Sequence, residues 1–547
     1  PGRPAPPAPP PRLGPQEIEC RTPRHLPRRT MPPLAARPKL APCRVMPVSS
    51  SYSPDPRFQN LGPDFADPVQ PAEFPAARMR FWNARAAATV GLSDLDDAER
   101  ARHFARFETL PANQREPLAM RYHGHQFRVY NPDLGDGRGF LFAQLRETDT
   151  GRLLDFGTKG SGRTPWSRGG DGRLTLKGGV REVLATAMLE ALGVPTSRSF
   201  ALFETGEALE RNDEPSPTRG AVLTRLSYSH IRFGSFQRHA ALERPELIQT
   251  LMDHVIEVYY PELENAENRA AALLAAVAAK SAHLTARWMT AGFVHGVLNT
   301  DNMNINGESF DYGPYRFLPR NDPNFVAAYF DSGGLYSFGR QPEAVFWNLR
   351  QLAGAFSLVS PTEPLVEALN GFAAAYRAEL SAAMLARLGV TPRDEASDLA
   401  LVNAAFRALA DGGEAARWEP FFFDWYGGAQ SEARAMAGVR GALYDSEAFV
   451  AFRGLIGLYA PAAAVDLTSD YFARPEPEEL LYDEIETIWA AIADRDDWRP
   501  FESKLAAIEA ARTGWNYSGG PAPPPTPPPT AGRGASGVGE GADPPMG

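Results

Sequence analysis

The sequence predicts an α+β protein of two lobes: a small, sheet-containing N-lobe and a large, mostly helical C-lobe. Two observations carry that expectation. Between residues 139 and 225, short apolar runs bounded by Gly and charged turns flank one helical stretch, as in an antiparallel sheet with a helix packed on it. From residue 244 onward, apolar residues recur at helical spacing with short polar loops between the runs.

Composition bounds the rest. A chain of 547 residues, 43% hydrophobic and 22% charged, has room for two to four folding units or one large two-lobed domain. Its net charge of -10 argues against non-specific nucleic-acid binding. The only cysteines are Cys20 and Cys43, so a disulfide framework or a Cys-based zinc site is excluded from the body. No apolar run reaches the roughly 18 residues of a membrane helix, so no membrane span is expected.

Residues 1–45 hold 14 prolines and nine Lys or Arg against two Glu. Such a segment buries too little apolar surface to fold, and a disordered Pro/Arg-rich extension is expected. Its Arg-rich, acid-poor character has something of a mitochondrial transit peptide, but the prolines spoil an amphipathic helix, and a cytoplasmic location is preferred. Residues 516–547, with 17 Pro or Gly among 32, read as a second disordered tail. The body divides into an N-terminal region with a nucleotide-binding N-lobe, 46–240, and a helical C-lobe, 241–515.

Within the N-lobe, residues 96–120 read as partly helical. Asn131–Arg138 then carries Gly135 and Gly137 in a GDG sequence, where absent side chains let backbone N–H groups approach an anion. A GDG alone is more often a hairpin turn. Runs at 139–145 and 153–158 follow as antiparallel strands, and the second delivers Lys159. The stretch 178–192 is helical, with Val180, Val183, Leu184, Ala187 and Met188 on one face and Glu182 placed to pair with Lys159. Residues 221–225 form another strand, ending on Arg225, and Arg232 follows in SHIRFG. Two such Arg can clamp a polyphosphate bidentately, or serve as surface ion pairs.

Helices are expected over 244–260, 264–291, 342–357, 363–388, 395–410, 429–438, 445–458, 478–493 and 500–512. The second of these runs into AGFVHGVLNTDNMNINGESFDYGP. There Asn302 and, nine residues later, Asp311 suit a hard cation held by oxygen, and magnesium fits because it keeps water and phosphate in its other positions; a polar loop with surface carboxylates is the other reading. The segment also reads like the HGDxxxxN loop of small-molecule kinases, with Val297 where that loop has its base Asp. Glycine-rich hairpin, strand Lys, helix Glu, strand, helices, Asp-Asn loop and metal Asp is the order of parts in a protein-kinase-like two-lobed fold.

HGHQFRVYNPDLGDGRG, KGSGRTPWSRGGDGR, REVLATAMLEALGVPTSRS, SHIRFGSF and HGVLNTDNMNINGESFDYGPY together resemble the selenoprotein O (YdiU) family. The resemblance implies a pseudokinase that moves AMP from ATP, bound in a flipped pose, onto protein hydroxyls, and in some members UMP from UTP with manganese. By resemblance, Gly135, Gly137 and Arg138 line the nucleotide site, and Lys159 meets phosphates with Glu182 as its partner. Asp171 and Gly172, with Arg225 and Arg232, complete the ATP contacts. Asn302 and Asp311 match the metal ligands for Mg2+ or Mn2+, and Asp301 matches the proton acceptor. Asp301 adjoins a metal ligand, so service to the metal or its waters is the other assignment for its carboxylate. The implied partners are ATP or UTP and hydroxyl-bearing proteins, the chain itself included. The chain departs from the family in lacking C-terminal cysteines, which puts any redox regulation in doubt.

Two other classes compete with nucleotidyl transfer. A conventional kinase would release the γ-phosphate, and Val297 counts against it. A catalytically inactive nucleotide-binding scaffold would have no need of the full set Lys159, Glu182, Asn302 and Asp311.

Overall fold

The structure is a computed structural model describing residues 49–212 and 214–517. The expectations for residues 1–45, with Cys20 and Cys43, and for the tail beyond Tyr517 lie outside the described residues. The chain is mixed α+β: an antiparallel sheet region comes first, and a mostly helical part follows.

The strands are β1 (Ala66–Pro68), β2 (Arg78–Trp82), β3 (Leu118–Met120), β4 (Gly124–Gln126), β5 (Val129–Asn131), β6 (Leu141–Arg146), β7 (Leu153–Lys159), β8 (Leu174–Thr175), β9 (Arg198–Leu209), β10 (Thr218–Ser227), β11 (Phe293–Val294) and β12 (Arg316–Phe317). The main sheet runs β1-β3-β6-β7-β10-β9-β2, with β8 added beside β10, and its registered pairs are antiparallel. Two small ribbons, β4–β5 and β11–β12, stand apart from it.

The two-residue period of a strand sorts the sheet's side chains between two cores. Val222 and Leu226 of β10 join Phe156, Phe200 and Phe104 on one face. Ala221 and Leu223 face the helix Leu176–Ala191 on the other. Both faces are covered, so β7 is buried at every residue and its sequence LLDFGTK shows no polar alternation. Asp155, inside that strand, is buried but accepts from Gln144 Nε2 at 2.7 Å and His230 N at 2.8 Å.

The helix Leu176–Ala191 starts where the Thr175 hydroxyl accepts from Gly178 N at 3.1 Å. It is buried around most of its circumference, because the helix Arg499–Trp515 packs on the side away from the sheet. Ala187, expected in the buried stripe, is only half-buried. The longest helix, Arg269–Thr290, runs directly into β11 and the loop after it.

Several elements differ from expectation. The twelve-residue strand β9 was not anticipated, although it pairs with both β10 and β2. Helix 363–388 is two helices, Thr362–Asn370 and Phe372–Arg387, parted at Gly371. An unanticipated helix, Trp418–Trp425, has every residue buried. The glycine segment before β6 is no hairpin: it links the β4–β5 ribbon to β6, with Gly135 bridged to Arg121. At the start of the expected tail, Tyr517 stacks on Trp515, and Arg387 Nη1 donates to its hydroxyl at 3.1 Å. Among the described residues, no helix is long and apolar enough to cross a membrane.

Candidate active site

Register places the first two cations. Leu223 of β10 pairs with Lys159 of β7, and Arg225 pairs with Gly157, so Lys159 and Arg225 project from the same sheet face, toward the helix that carries Glu182. Lys159 Nζ lies 2.6 Å from Glu182 Oε2 and 2.7 Å from Asp311 Oδ1. Arg225 Nη1 stands 3.4 Å from Glu182 Oε1 and 3.5 Å from Asp311 Oδ1. These side chains are buried, Asp311 excepted at 28% exposure. Buried charges persist only when paired, and each here has a partner of opposite sign.

Arg232 arrives from the other side. The segment 229–233 runs beside 303–305: Phe233 N donates to Met303 O at 2.9 Å and Ile305 N to Ile231 O at 3.0 Å. The guanidinium is held between Tyr122 and Phe310, 4.6 and 4.7 Å from their ring centroids, and donates to Asp301 O at 2.7 Å. Its Nη2 is 3.4 Å from Asp136 Oδ1.

The loop after the long helix is closed at its base by the β11–β12 pairing. The β4–β5 ribbon fixes its short helical turn, Thr300–Asn302: His125 N donates to Thr300 Oγ1 at 2.7 Å, and Phe127 N donates to Asn299 Oδ1 at 3.0 Å. His295 is buried, its Nε2 3.1 Å from Phe310 O, and burial pulls its imidazole below the ordinary range. It anchors the loop as a neutral ring.

Burial pushes the Asp301 carboxyl up to about 6, with the nearby Arg232 only partly offsetting it, and Asp301 Oδ1 has no hydrogen-bond partner among the described residues. Burial would also raise Asp311, but Lys159, Arg225 and Arg232 outweigh it and hold that carboxyl well below the ordinary range. Asp311 has a left-handed backbone, φ 66°, which Asp and Asn tolerate better than most side chains. The two carboxyls thus sit in one site with opposite tendencies.

A cavity of about 720 Å³ joins these groups. Gly135, Gly137, Arg138, Lys159, Asp171, Gly172, Arg225, Arg232, Asp301, Asn302 and Asp311 all line it, as does Val297. Glu182 does not: it stands behind Lys159 and acts through it. Asp171 is committed to Arg211 Nη1 at 2.8 Å, which with Arg173 holds its carboxyl low despite burial. Gly172 has φ 71°, and a Cβ there would overlap Gly162 O.

The residues around this site include some that the sequence did not single out. Trp166 is the main one. A Cβ on Gly135 would overlap its indole, and one on Gly137 would come within 2.8 Å of its carbonyl oxygen. Packing against 164–167 therefore requires glycine at both ends of GDG. Trp166 sits inside the quoted motif TPWSR, yet nothing local marks its partner. Tyr122 and Phe310, which sandwich Arg232, were missed for the same reason.

Asn302 Nδ2 donates to Val297 O at 2.9 Å, which leaves its Oδ1 as an acceptor. Asn302 and Asp311 both line the cavity, and the pair offers the hard oxygen donors that Mg2+ or Mn2+ prefers, with room for water and phosphate. The donor set fits such an ion. Among the described residues, no group of three or more His, Cys, Asp and Glu forms a metal cluster by itself.

The family model described as "Protein adenylyltransferase SelO" matches residues 48–509. A protein nucleotidyltransferase YdiU of Synechocystis sp. is 44% identical over 476 residues, covering 83% of this chain and 98% of its own length. Its counterpart from Gloeobacter violaceus is 47% identical over 461 residues, 83% and 94% respectively. One from Pseudomonas putida is 40% identical over 403 residues, 73% and 80%. Cation cluster, acid–amide loop and these relatives together define the class, a protein nucleotidyltransferase. Within it, the chain belongs to the SelO protein adenylyltransferase family.

Proposed function

We propose that the cavity binds ATP with its β- and γ-phosphates among Lys159, Arg225 and Arg232, and presents the α-phosphate to a protein hydroxyl. The observation that carries this reading is the convergence of three buried cations on Asp311, with apolar Val297 where a kinase would hold its base. The hydroxyl oxygen of a Ser, Thr or Tyr attacks the α-phosphorus as the bond from that phosphorus to the bridging oxygen breaks. AMP passes to the protein and pyrophosphate leaves. The hydroxyl proton goes to Asp301, whose unpartnered Oδ1 is free to accept it.

Asn302 and Asp311 would hold the Mg2+ or Mn2+. When bound there, the ion supplies charge neutralisation on the phosphates. Lys159, fixed by Glu182, and Arg225 orient the β- and γ-phosphates; Arg232 does so from the opposite wall. Positioning and charge stabilisation of this kind account for most of the rate in phosphoryl-group chemistry. We read the architecture as protein-kinase-like, with residues 46–240 carrying the nucleotide-binding lobe and 241–515 the helical lobe.

The test uses ATP labelled separately at the α- and γ-phosphates, with Mg2+, the purified chain and candidate protein substrates. Label from the α-position on protein, with pyrophosphate released, is the expected result. Label from the γ-position would overturn the reading in favour of a kinase. ATP binding without transfer of either label, on the chain or on any protein of a cell extract, would reduce it to a scaffold. Running UTP with Mn2+ in parallel establishes which nucleotide the site prefers.

A further inference from the structure

A second cavity, of about 320 Å³, lies in the same body and shares no lining residue with the first. The helix Arg269–Thr290 contributes Lys280; the turn between β6 and β7 contributes Arg152; the loop between Asn302 and Asp311 contributes Asn306 and Glu308. Tyr228 and Tyr259 supply aromatic walls.

Most polar groups around it are already committed. Arg152 Nη2 donates to Tyr228 OH at 2.7 Å and lies 3.1 Å from Glu147 Oε2. Glu308 Oε2 accepts from Tyr228 N at 3.0 Å and from the Ser227 hydroxyl. Three groups are not committed, the buried Tyr259 hydroxyl, which has no hydrogen-bond partner among the described residues, being one. Lys280 makes no ion pair or hydrogen bond among the described residues; its Nζ sits 4.0 Å from the Tyr260 ring centroid, and Glu262 acts on it only through space. Burial pulls its amine down to about 8. Asn306 Oδ1 is buried with no donor among the described residues, while its Nδ2 makes one long contact to Tyr228 O at 3.5 Å. A half-buried cation without a counter-ion and a buried acceptor without a donor each cost free energy that a complementary ligand would recover. The volume suits a small molecule.

We propose that this cavity binds a small amphipathic organic anion, its acid group on Lys280, its apolar body between Tyr228 and Tyr259, and a hydroxyl donating to Asn306 Oδ1. The site is independent of the nucleotide cavity and does not rest on the reading of the reaction.

The experiment is a calorimetric and saturation-transfer NMR titration of the full chain, saturated with ATP, using 4-hydroxyphenylacetate. Its neutral amide, 4-hydroxyphenylacetamide, serves as the control. Saturable millimolar binding of the acid in the presence of ATP, at least about tenfold tighter than the amide, is expected. Lys280→Met should weaken the acid by about tenfold and leave the amide unchanged. Should that variant fail to fold, the acid–amide comparison on the unaltered chain decides alone. Absence of saturable binding, equal binding of acid and amide, an unaffected Lys280→Met, or displacement by ATP would each overturn the proposal.

Discussion

Lys159 Nζ and Asp311 Oδ1 lie 2.7 Å apart. The residue proposed to meet phosphate and the residue proposed to meet metal therefore neutralise each other directly. Arg225 and Arg232 converge on the same carboxylate at 3.5 and 4.0 Å. On the proposed reading, a metal–nucleotide complex would exchange these internal pairs for pairs with the ion and the phosphates, keeping charges compensated throughout.

Asp311→Asn separates those two duties. Without metal, the variant is expected to bind ATP about tenfold more tightly, because three cations lose the one counter-ion they share. Nucleotidyl transfer with metal should fall by about a thousandfold. Calorimetry and the α-label assay measure the two effects, and unchanged metal-free affinity would show that Asp311 does not restrain the cations.

Lys159→Ala leaves Glu182 buried with only Arg225 near it, at 3.4 Å. Removing one member of a buried pair costs about 3–5 kcal/mol. A lower melting temperature and a loss of transfer of at least about a hundredfold are expected together. Glu182→Gln/Lys159→Met, which removes both charges, should recover the stability and leave the activity lost. Urea denaturation of the two variants checks this.

Glu308 gives a pH signature. Burial raises its carboxyl from 4.5 to about 7, although Ser227 and Tyr228 N donate to it. Between those values the folded protein keeps a proton that the unfolded chain releases. This contribution is thus fully present below 4.5 and is lost as pH rises through 7, by up to about 3 kcal/mol. Glu308→Gln should gain melting temperature over the parent progressively from about pH 5 to pH 8. A constant difference across that range would place the Glu308 carboxyl near its ordinary value.

Gly135→Ala introduces a Cβ into the Trp166 indole. Overpacking of that kind costs about 1–3 kcal/mol. Trp166→Leu in the same chain should recover part of it, a non-additivity that a double-mutant cycle reads directly. Strict additivity would mean that Gly135 is required for another reason.

Much of the site was legible because it depends on local sequence pattern. Short apolar runs ending on a cation marked β7 and β10, and the helical spacing around Glu182 marked its helix, which put Lys159, Glu182 and Arg225 in the right elements before any contact was known. Illegible parts depend on distant segments. The β9 sequence RSFALFETGEAL lacks alternation because residues 199–205 are buried on both faces. WEPFFFDW falls between the expected helices 395–410 and 429–438, yet it forms a helix with no exposed side, and a helix buried all round has no polar stripe to betray its period. Trp166 against Gly135 and Phe310 beneath Arg232 are contacts between loops, where no repeat exists to read.

The strand order carries a consequence for synthesis. Both outermost strands, β1 and β2, come from residues 66–82, while β9, against which β2 lies, pairs Arg78 with Glu204 and Met79 with Phe203. A ribosome thus delivers the two borders of the sheet before any of its interior, and those borders wait unpaired while the middle is made. Their sequences suit the wait: β1 is three residues long and ends in Pro68, and β2 carries Arg78 and Arg80. Brevity, proline and charge are what keep a lone strand from recruiting a neighbouring nascent chain.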